Sequence, residues 1–273
     1  MLEIPTDSGL QDFESQKQDY FSQIALEERS ALRLHKEFGL LRRGASGERE
    51  WGNVAEHCLV ETARARVFAE LLGLNEELSR DVSTGAALHD FFKKQEVAVM
   101  GESGPSWYAY DFAQQLGTDE LRKADISPRA TKLAGAAGHS AVPKTEAILA
   151  KPDLEDEDIA HLVIHFIDDY TVGSEWVQPA EINDGKKIND LDRRMDRNEA
   201  NPRYRSLNQE GKQHFDGATT FEAMRRAGHA AGVKLAELIA ERNGLEPLDS
   251  LDLPVYIDDI LRQKIIAASG VAG

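Results

Sequence analysis

Cysteine is almost missing from this chain. Cys58 is the only cysteine among the 273 residues, which excludes an internal disulfide and any metal or iron–sulfur site that needs several cysteines. Such cysteine usage is typical of a reducing compartment, so the cytoplasm is the expected location.

Long hydrophobic runs are missing as well. Nowhere do about eighteen apolar residues follow one another, as a membrane-spanning helix requires. The N-terminal residues lack the basic region and apolar core of a secretion signal. We therefore expect neither a membrane span nor export.

Positive charge is scarce. Lys and Arg number 32 against 48 Asp and Glu, which gives a net charge of −16 at pH 7. A surface of this sign disfavours nucleic acid polymers and anionic membranes as partners. A phosphate-bearing ligand would need a local basic pocket. The hydrophobic fraction of 41 % is sufficient for the core of a globular protein.

The two-residue alternation of β-strands is missing, and apolar residues recur instead at three- and four-residue spacing. This spacing predicts an all-α fold. Asn75 is expected to cap one helix, Ser127 and Pro128 to open another, and Pro143 to end that one. The predicted helices span about 10–42, 50–72, 75–95, 118–124, 128–143, 156–170, 187–199 and 219–243, with a last one from Pro254.

These helices are expected to form one domain with a helical core. Residues 45–175 are its predicted core, residues 1–44 supply an N-terminal helix packed on it, and residues 176–273 form a C-terminal helical extension of the same domain. The long charged C-terminal helices would suit homo-oligomerisation and partner binding equally well.

Three predicted helices carry titratable groups among apolar residues. The helix at 156–170 is apolar almost all round, which predicts burial, yet His161, His165 and Asp168 share one stripe of it. The helix predicted over 75–95 carries the adjacent pair His89 and Asp90. The helix predicted over 50–72 carries His57, one turn before Glu61. Buried carboxylates must be paired, hydrogen-bonded or bound to a cation.

One divalent metal ion would satisfy these groups together, with His57, His89, Asp90 and Asp168 as its ligands. Asp169 could replace Asp168, since a shift of one residue turns the carboxylate to another helix face. A mixed nitrogen and oxygen ligand set suits Mn²⁺, Fe²⁺, Co²⁺, Ni²⁺ or Zn²⁺. Mg²⁺ is a further candidate, and the site could hold one ion or two. Such an ion lowers the pKa of its water from about 15.7 to about 7 and so yields a hydroxide nucleophile.

The order of these residues resembles the H…HD…D pattern of the HD-domain metal-dependent phosphohydrolases. The stretches "AEHCLVETARARVFAELLGL", "ALHDFFKK" and "FIDDY" look like the family's first-histidine helix, its His-Asp-x-x-Lys stretch and its last aspartate. The resemblance covers residues 50–172. It implies an all-α bundle in which His57, His89, Asp90 and Asp168 bind metal and Lys93 lies near the substrate phosphate.

A second element, "AGAAGHSAVP", resembles the extra His-Ser/Thr element of HD enzymes that cleave dinucleoside polyphosphates. It implies that His139 binds a second ion or contacts substrate. Two departures stand out. No other histidine lies between Asp90 and His139, so a full second metal site would need His161 or His165. Phe92 stands where the family often has glycine.

The expected function is therefore that of a metal-dependent phosphohydrolase acting on a nucleotide or another small phosphorylated metabolite, with Asp90, Lys93 and His139 as catalytic residues. Two alternatives remain: a di-iron oxygenase on the same fold, and a non-catalytic interaction or sensor domain with a structural metal. A basic segment further on is interpreted either as a salt-bridged helix face or as a phosphate-binding rim. It contains Arg193, Arg194, Arg197, Arg203 and Arg205.

Overall fold

The computed structural model describes residues 7–41, 51–101 and 105–269. It confirms the all-α prediction, with one small antiparallel hairpin formed by β1 (Glu181–Asn183) and β2 (Lys186–Ile188). Among the described helices, none has both the length and the hydropathy that a membrane span requires. The helices are α1 (Asp7–Glu27), α2 (Arg29–Glu37), α3 (Gly52–Leu71), α4 (Glu76–Leu88), α5 (Lys93–Met100), α6 (Trp107–Lys123), α7 (Pro128–Ala134), α8 (Val142–Leu149), α9 (Asp156–Tyr170), α10 (Asp190–Ala200), α11 (Arg205–Glu210), α12 (Thr220–Asn243) and α13 (Leu253–Ala268).

Several helices begin where polar capping residues predict it. The Asn75 side chain accepts a hydrogen bond from the backbone N–H of Leu78, and Ser127 does the same for Ala130. Thr219 forms a capping box with Glu222 at the start of α12. Each cap satisfies backbone donors that the first helical turn leaves without a partner.

Other predicted boundaries are wrong. Pro143 does not end a helix but lies in the first turn of α8, where a residue without a backbone N–H costs no hydrogen bond. The helix predicted over 75–95 ends at Leu88, and α5 starts afresh at Lys93. The first long helix is interrupted between α1 and α2, and the short helix expected at 118–124 is the end of α6. The predicted boundary between residues 44 and 45 lies outside the described residues.

Helix α9 forms the centre of the fold. It contacts α3, α4, α7, α8, α10 and α12, and every residue from Ile159 to Tyr170 is buried. Helix α12 packs closely because it presents glycines to α9. A Cβ atom at Gly228 would lie 2.6 Å from an Asp169 carboxylate oxygen, and one at Gly232 would lie 2.7 Å from the Phe166 ring.

The terminal helices complete this core. Helix α1 packs on α3 and α13, and α2 packs on α4. Leu191, Leu235 and Ile257 from the C-terminal part belong to the same buried cluster as Phe68 and Ile159. Residues 176–269 thus share one hydrophobic core with the central helices.

Candidate metal centre

Four side chains from three parts of the chain meet at one point. His57 and Glu61 lie on α3, His89 directly follows α4, and Asp168 lies near the end of α9. Each offers one ligand atom, and these four atoms all lie within 4.8 Å of one another. Their side chains are at most 11 % exposed. The cluster could therefore hold a metal ion, since one cation can reach all four atoms.

The local structure around His89 explains why its ring reaches the cluster. Helix α4 ends at Leu88, so the last carbonyl groups of the helix need other partners. The His89 Nδ1–H group donates to the Ala86 carbonyl (2.8 Å), and the His35 Nε2–H group donates to the Ala87 carbonyl (2.6 Å). These two side-chain hydrogen bonds replace the backbone hydrogen bonds that a continuing helix would make, at the point where the chain turns towards α5.

Backbone carbonyls also orient both imidazoles of the cluster. His57 Nδ1 donates to the Gly173 carbonyl at 3.0 Å, as His89 Nδ1 does to that of Ala86. Because a carbonyl oxygen can only accept, Nδ1 must carry the hydrogen in each ring. Nε2 of His57 is then free to bind metal, 3.0 Å from Glu61 Oε1, whereas the His89 nitrogen beside Glu61 is Nδ1, 3.2 Å from Oε2. Such an outer hydrogen bond is the usual support of a histidine that ligates a metal.

The unmet hydrogen-bonding capacity of the cluster fits a cation. Both oxygens of Glu61 and the Nε2 atom of His89 are buried, and no described residue makes a hydrogen bond to them. His57 Nε2 lies 3.0 Å from Glu61 Oε1 without hydrogen-bond geometry. Buried polar atoms left in this way cost free energy. A metal ion bound at the cluster would satisfy the Glu61 oxygens and His57 Nε2 together.

The carboxylates also draw protons to the imidazoles. Burial alone would lower the pKa of His57, but the negative charge of Glu61 and the contact with Asp168 raise it to about 10. Burial would also lower the pKa of His89, but the negative charge of Glu61 raises it well above its ordinary value. Protons and a metal ion therefore compete for the same nitrogen atoms.

Asp168 is held as a carboxylate by two further donors. Arg194 on α10 donates to Oδ1 at 3.0 Å, and the backbone N–H of Gly138 donates to Oδ2 at 3.1 Å. Burial alone would raise the pKa of Asp168, but the Arg194 charge and the nearby imidazoles hold it well below its usual range. Asp168 is thus ionised and ready to bind a cation at neutral pH.

A buried ion pair holds the loop that supports His57. Arg64 on α3 makes two bonds of 2.8 Å to Asp258 on α13, and it also donates to Thr171 and to the Glu175 carbonyl. The loop between Thr171 and Glu175 includes Gly173, whose carbonyl accepts the His57 hydrogen bond. The network therefore fixes the acceptor that orients His57.

The cluster forms part of the wall of a cavity of about 410 Å³. This volume lies within the ordinary range for small-molecule sites. His57, His89 and Asp168 line one part of it, and aromatic side chains such as Tyr110 and Tyr204 line others. A small ligand in the cavity would thus lie against the cluster.

Asp90 and Lys93 lie beside the cluster rather than within the group of four. The Asp90 carboxylate is 4.0 Å from His89 Nε2, and Lys93 Nζ is 3.4 Å from Asp90 and 3.2 Å from Glu96. Burial alone would lower the pKa of Lys93, but these two acids raise it well above its usual value. The structure brings both predicted residues to the cavity, with Glu61 in the group that was expected to contain Asp90.

His139 also lines the cavity. Its ring lies between those of Trp107 and Tyr110, at centroid distances of 4.6 and 4.5 Å. Burial and the nearby positive charge of Lys93 lower its pKa to about 3, so the imidazole is neutral at neutral pH. Its Nε2 atom has no hydrogen-bond partner among the described residues.

The remaining candidates on α9 point elsewhere. Asp169 faces Gly228 of α12, and burial together with the charge of Asp168 raises its pKa well above the usual value. His161 lies 3.0 Å from the Thr145 hydroxyl, and His165 contacts the Ala136 carbonyl. None of the three is among the described residues that line the cavity. Within the described residues, a single group meets the geometry of a metal site.

The basic segment divides into three parts. Arg194 and Arg197 line the cavity, whereas Arg193 is bound to Asp190 and the Pro179 carbonyl. Arg203 and Arg205 line a second surface hollow outside the cavity. Helix α10 therefore contributes two of the five arginines to the candidate site.

Sequence reasoning missed Glu61 as a member of the cluster. Its position four residues after His57 was a usable signal, because residues at this spacing share one helix face. The sequence did not show that α3 turns this face towards the end of α4. Comparison with known proteins adds no assignment: no protein-family model, no curated protein and no solved structure matches the chain.

Proposed function

We propose that the protein is a metal-dependent phosphohydrolase that acts on a small phosphorylated metabolite such as a nucleotide. One observation carries the proposal: three of the four residues of a group suited to a divalent ion line a cavity that Lys93, Arg194 and Arg197 also line. The resemblance of the sequence to HD-domain phosphohydrolases agrees with it.

The ligands of the ion would be His57, Glu61, His89 and Asp168. A divalent ion bound there supplies a Lewis acid and a hydroxide nucleophile near neutral pH. Histidine nitrogens and carboxylate oxygens suit first-row divalent metals. Arg194 keeps Asp168 ionised, and the carbonyls of Gly173 and Ala86 fix the orientation of both imidazoles.

Other residues of the cavity act on the substrate. Lys93, positioned by Asp90 and Glu96, places an ammonium group where it stabilises negative charge on a phosphoryl group. His139 is neutral and has a free Nε2 atom, so it can exchange a hydrogen bond with the substrate. Asp90 orients Lys93 and adds negative charge beside His89.

The hydrolase is favoured over the di-iron oxygenase by the ligand count. A two-iron site needs about six protein ligands, and within the described residues there is one group of four. A purely structural metal site would not need a lysine and two arginines around a neighbouring cavity. That possibility is nonetheless an outcome of the test below.

The test is a phosphate-release assay over nucleotides and sugar phosphates, with Mn²⁺, Co²⁺, Ni²⁺ and Mg²⁺ supplied in turn. We expect turnover of at least one compound, and loss of more than about a hundredfold on His89→Ala or Asp168→Asn, since changing groups behind the ligands already costs 10–100-fold. His229→Gln is the matched control, because His229 binds Asp192 away from the cavity.

Two results would contradict the proposal. One is a wild-type protein that binds metal but releases phosphate from none of the compounds, which would favour a structural metal. The other is full activity of both ligand variants under the conditions in which the wild type is active.

A further inference from the structure

Among the described residues, three lysine and arginine side chains line the cavity, and two of them are already paired. Lys93 lies 3.4 Å from Asp90 and 3.2 Å from Glu96, and Arg194 lies 3.0 Å from Asp168. Each of these cations balances a carboxylate of the protein. The positive charges of Lys93 and Arg194 are thus largely neutralised by acids of the protein itself.

Arg197 is different. It lines the cavity and is exposed, and in the described part of the chain no acid or hydrogen-bond acceptor pairs with it. Its neighbour Arg193, by contrast, is bound to Asp190. An arginine left unpaired in a chain with 48 acidic residues has its charge available for a ligand.

The position of Arg197 is fixed by Arg194. Arg194 donates to Asp168 and to the Thr171 carbonyl, each at 3.0 Å, which ties this face of α10 to the end of α9. Arg197 follows three residues later and so lies on the same face of α10. The candidate metal centre and the free guanidinium are therefore held in a defined relation along one cavity.

We propose that Arg197 binds a second phosphate group of the substrate, so that the cavity selects compounds with two phosphate groups over those with one. This inference rests on the proposed function: the first phosphate lies at the metal centre and the second at α10. A guanidinium presents paired N–H donors that match the oxygens of a phosphate group. Arg197 is thus a specificity-determining residue outside the metal centre.

The experiment measures binding to the full chain loaded with Mn²⁺. The probes are alkane bisphosphonates of increasing length and the matching monophosphonates, which the protein cannot hydrolyse. We expect the best bisphosphonate to bind at least about tenfold more tightly than its monophosphonate in calorimetric titrations, as a charge-assisted pair predicts. Arg197→Gln should remove this preference and leave the monophosphonate Kd within about twofold.

Arg203→Gln is the matched control, since Arg203 is exposed and lies outside the cavity; it should leave both affinities unchanged. Arg197→Lys should retain part of the preference. Equal binding of the two probe classes by the wild type, or a preference that survives Arg197→Gln, would overturn the role of Arg197 while the metal-dependent function stands. If neither probe binds the loaded protein, the proposed phosphohydrolase falls as well.

Discussion

Nε2 of His57 lies 3.0 Å from Oε1 of Glu61, one turn further along α3, and both side chains are almost fully buried. The two atoms do not form a hydrogen bond. His89 and Asp168 approach the same point from α4 and α9. Two imidazoles and two carboxylates that converge in this way could hold a metal ion.

Glu61→Gln tests the member of the group that the sequence did not reveal. The amide removes a negative charge and one strong ligand, so we expect Mn²⁺ or Co²⁺ affinity to fall by at least about tenfold. Isothermal titration calorimetry measures it. Glu56→Gln on the exposed side of the same helix is the control and should bind as the wild type does. Unchanged affinity in Glu61→Gln would remove Glu61 from the site.

Metal binding should release protons. The pKa of His57 is raised to about 10 and that of His89 well above its ordinary value, so both imidazoles carry a proton at pH 7.5 before a metal ion displaces it. Affinity therefore rises with pH up to about 10. Calorimetry in buffers of different ionisation enthalpy should report about one to two protons released per ion at pH 7.5. A binding enthalpy independent of the buffer would contradict this.

The buried pair of Arg64 and Asp258 should dominate stability near the C-terminus. Their side chains are 1 and 2 % exposed, and Asp258→Ala leaves the guanidinium buried without its partner. We expect a loss of about 3–5 kcal/mol in the free energy of unfolding, measured by urea denaturation. Asp259→Ala, which removes the neighbouring half-buried acid, should change it by less than about 0.5 kcal/mol. Similar losses of unfolding free energy in both variants would show that the Arg64–Asp258 pair has no special part in stability.

Gly228→Ala should destabilise the protein although alanine favours helices. The new Cβ would lie 2.6 Å from Asp169 and 2.7 Å from Leu191, so α12 must move away from α9, at a cost of about 1–3 kcal/mol. Thermal unfolding gives the comparison. Ala230→Gly on the exposed face of α12 should cost about 1 kcal/mol through propensity alone. A stabilised Gly228→Ala protein would show that the two helices are not in close contact.

Much of this architecture can be predicted from residue patterns. The apolar helix at 156–170 with its embedded histidines and aspartates predicts a buried polar stripe, and α9 is buried from Ile159 to Tyr170. Asn75 and Ser127 mark helix starts because side-chain capping is a local interaction.

The parts that could not be predicted depend on contacts between distant residues. The break after Leu88 contains neither glycine nor proline, and it is stabilised by His35 reaching the Ala87 carbonyl from another helix. The contact between Glu61 and His89 likewise depends on how α4 packs against α3. Spacing alone could not separate Arg197, which lines the cavity, from Arg203, which does not.

Metal content tests the proposed metal centre most directly. It is measured after incubation with Mn²⁺ or Co²⁺ and desalting, for the wild type and for the double variant His57→Ala, Asp168→Asn. We expect about one tightly held ion per chain in the wild type and almost none in the double variant, with both proteins folded by circular dichroism. Equal metal content in the two proteins, or none in either, would contradict a metal centre at His57, Glu61, His89 and Asp168.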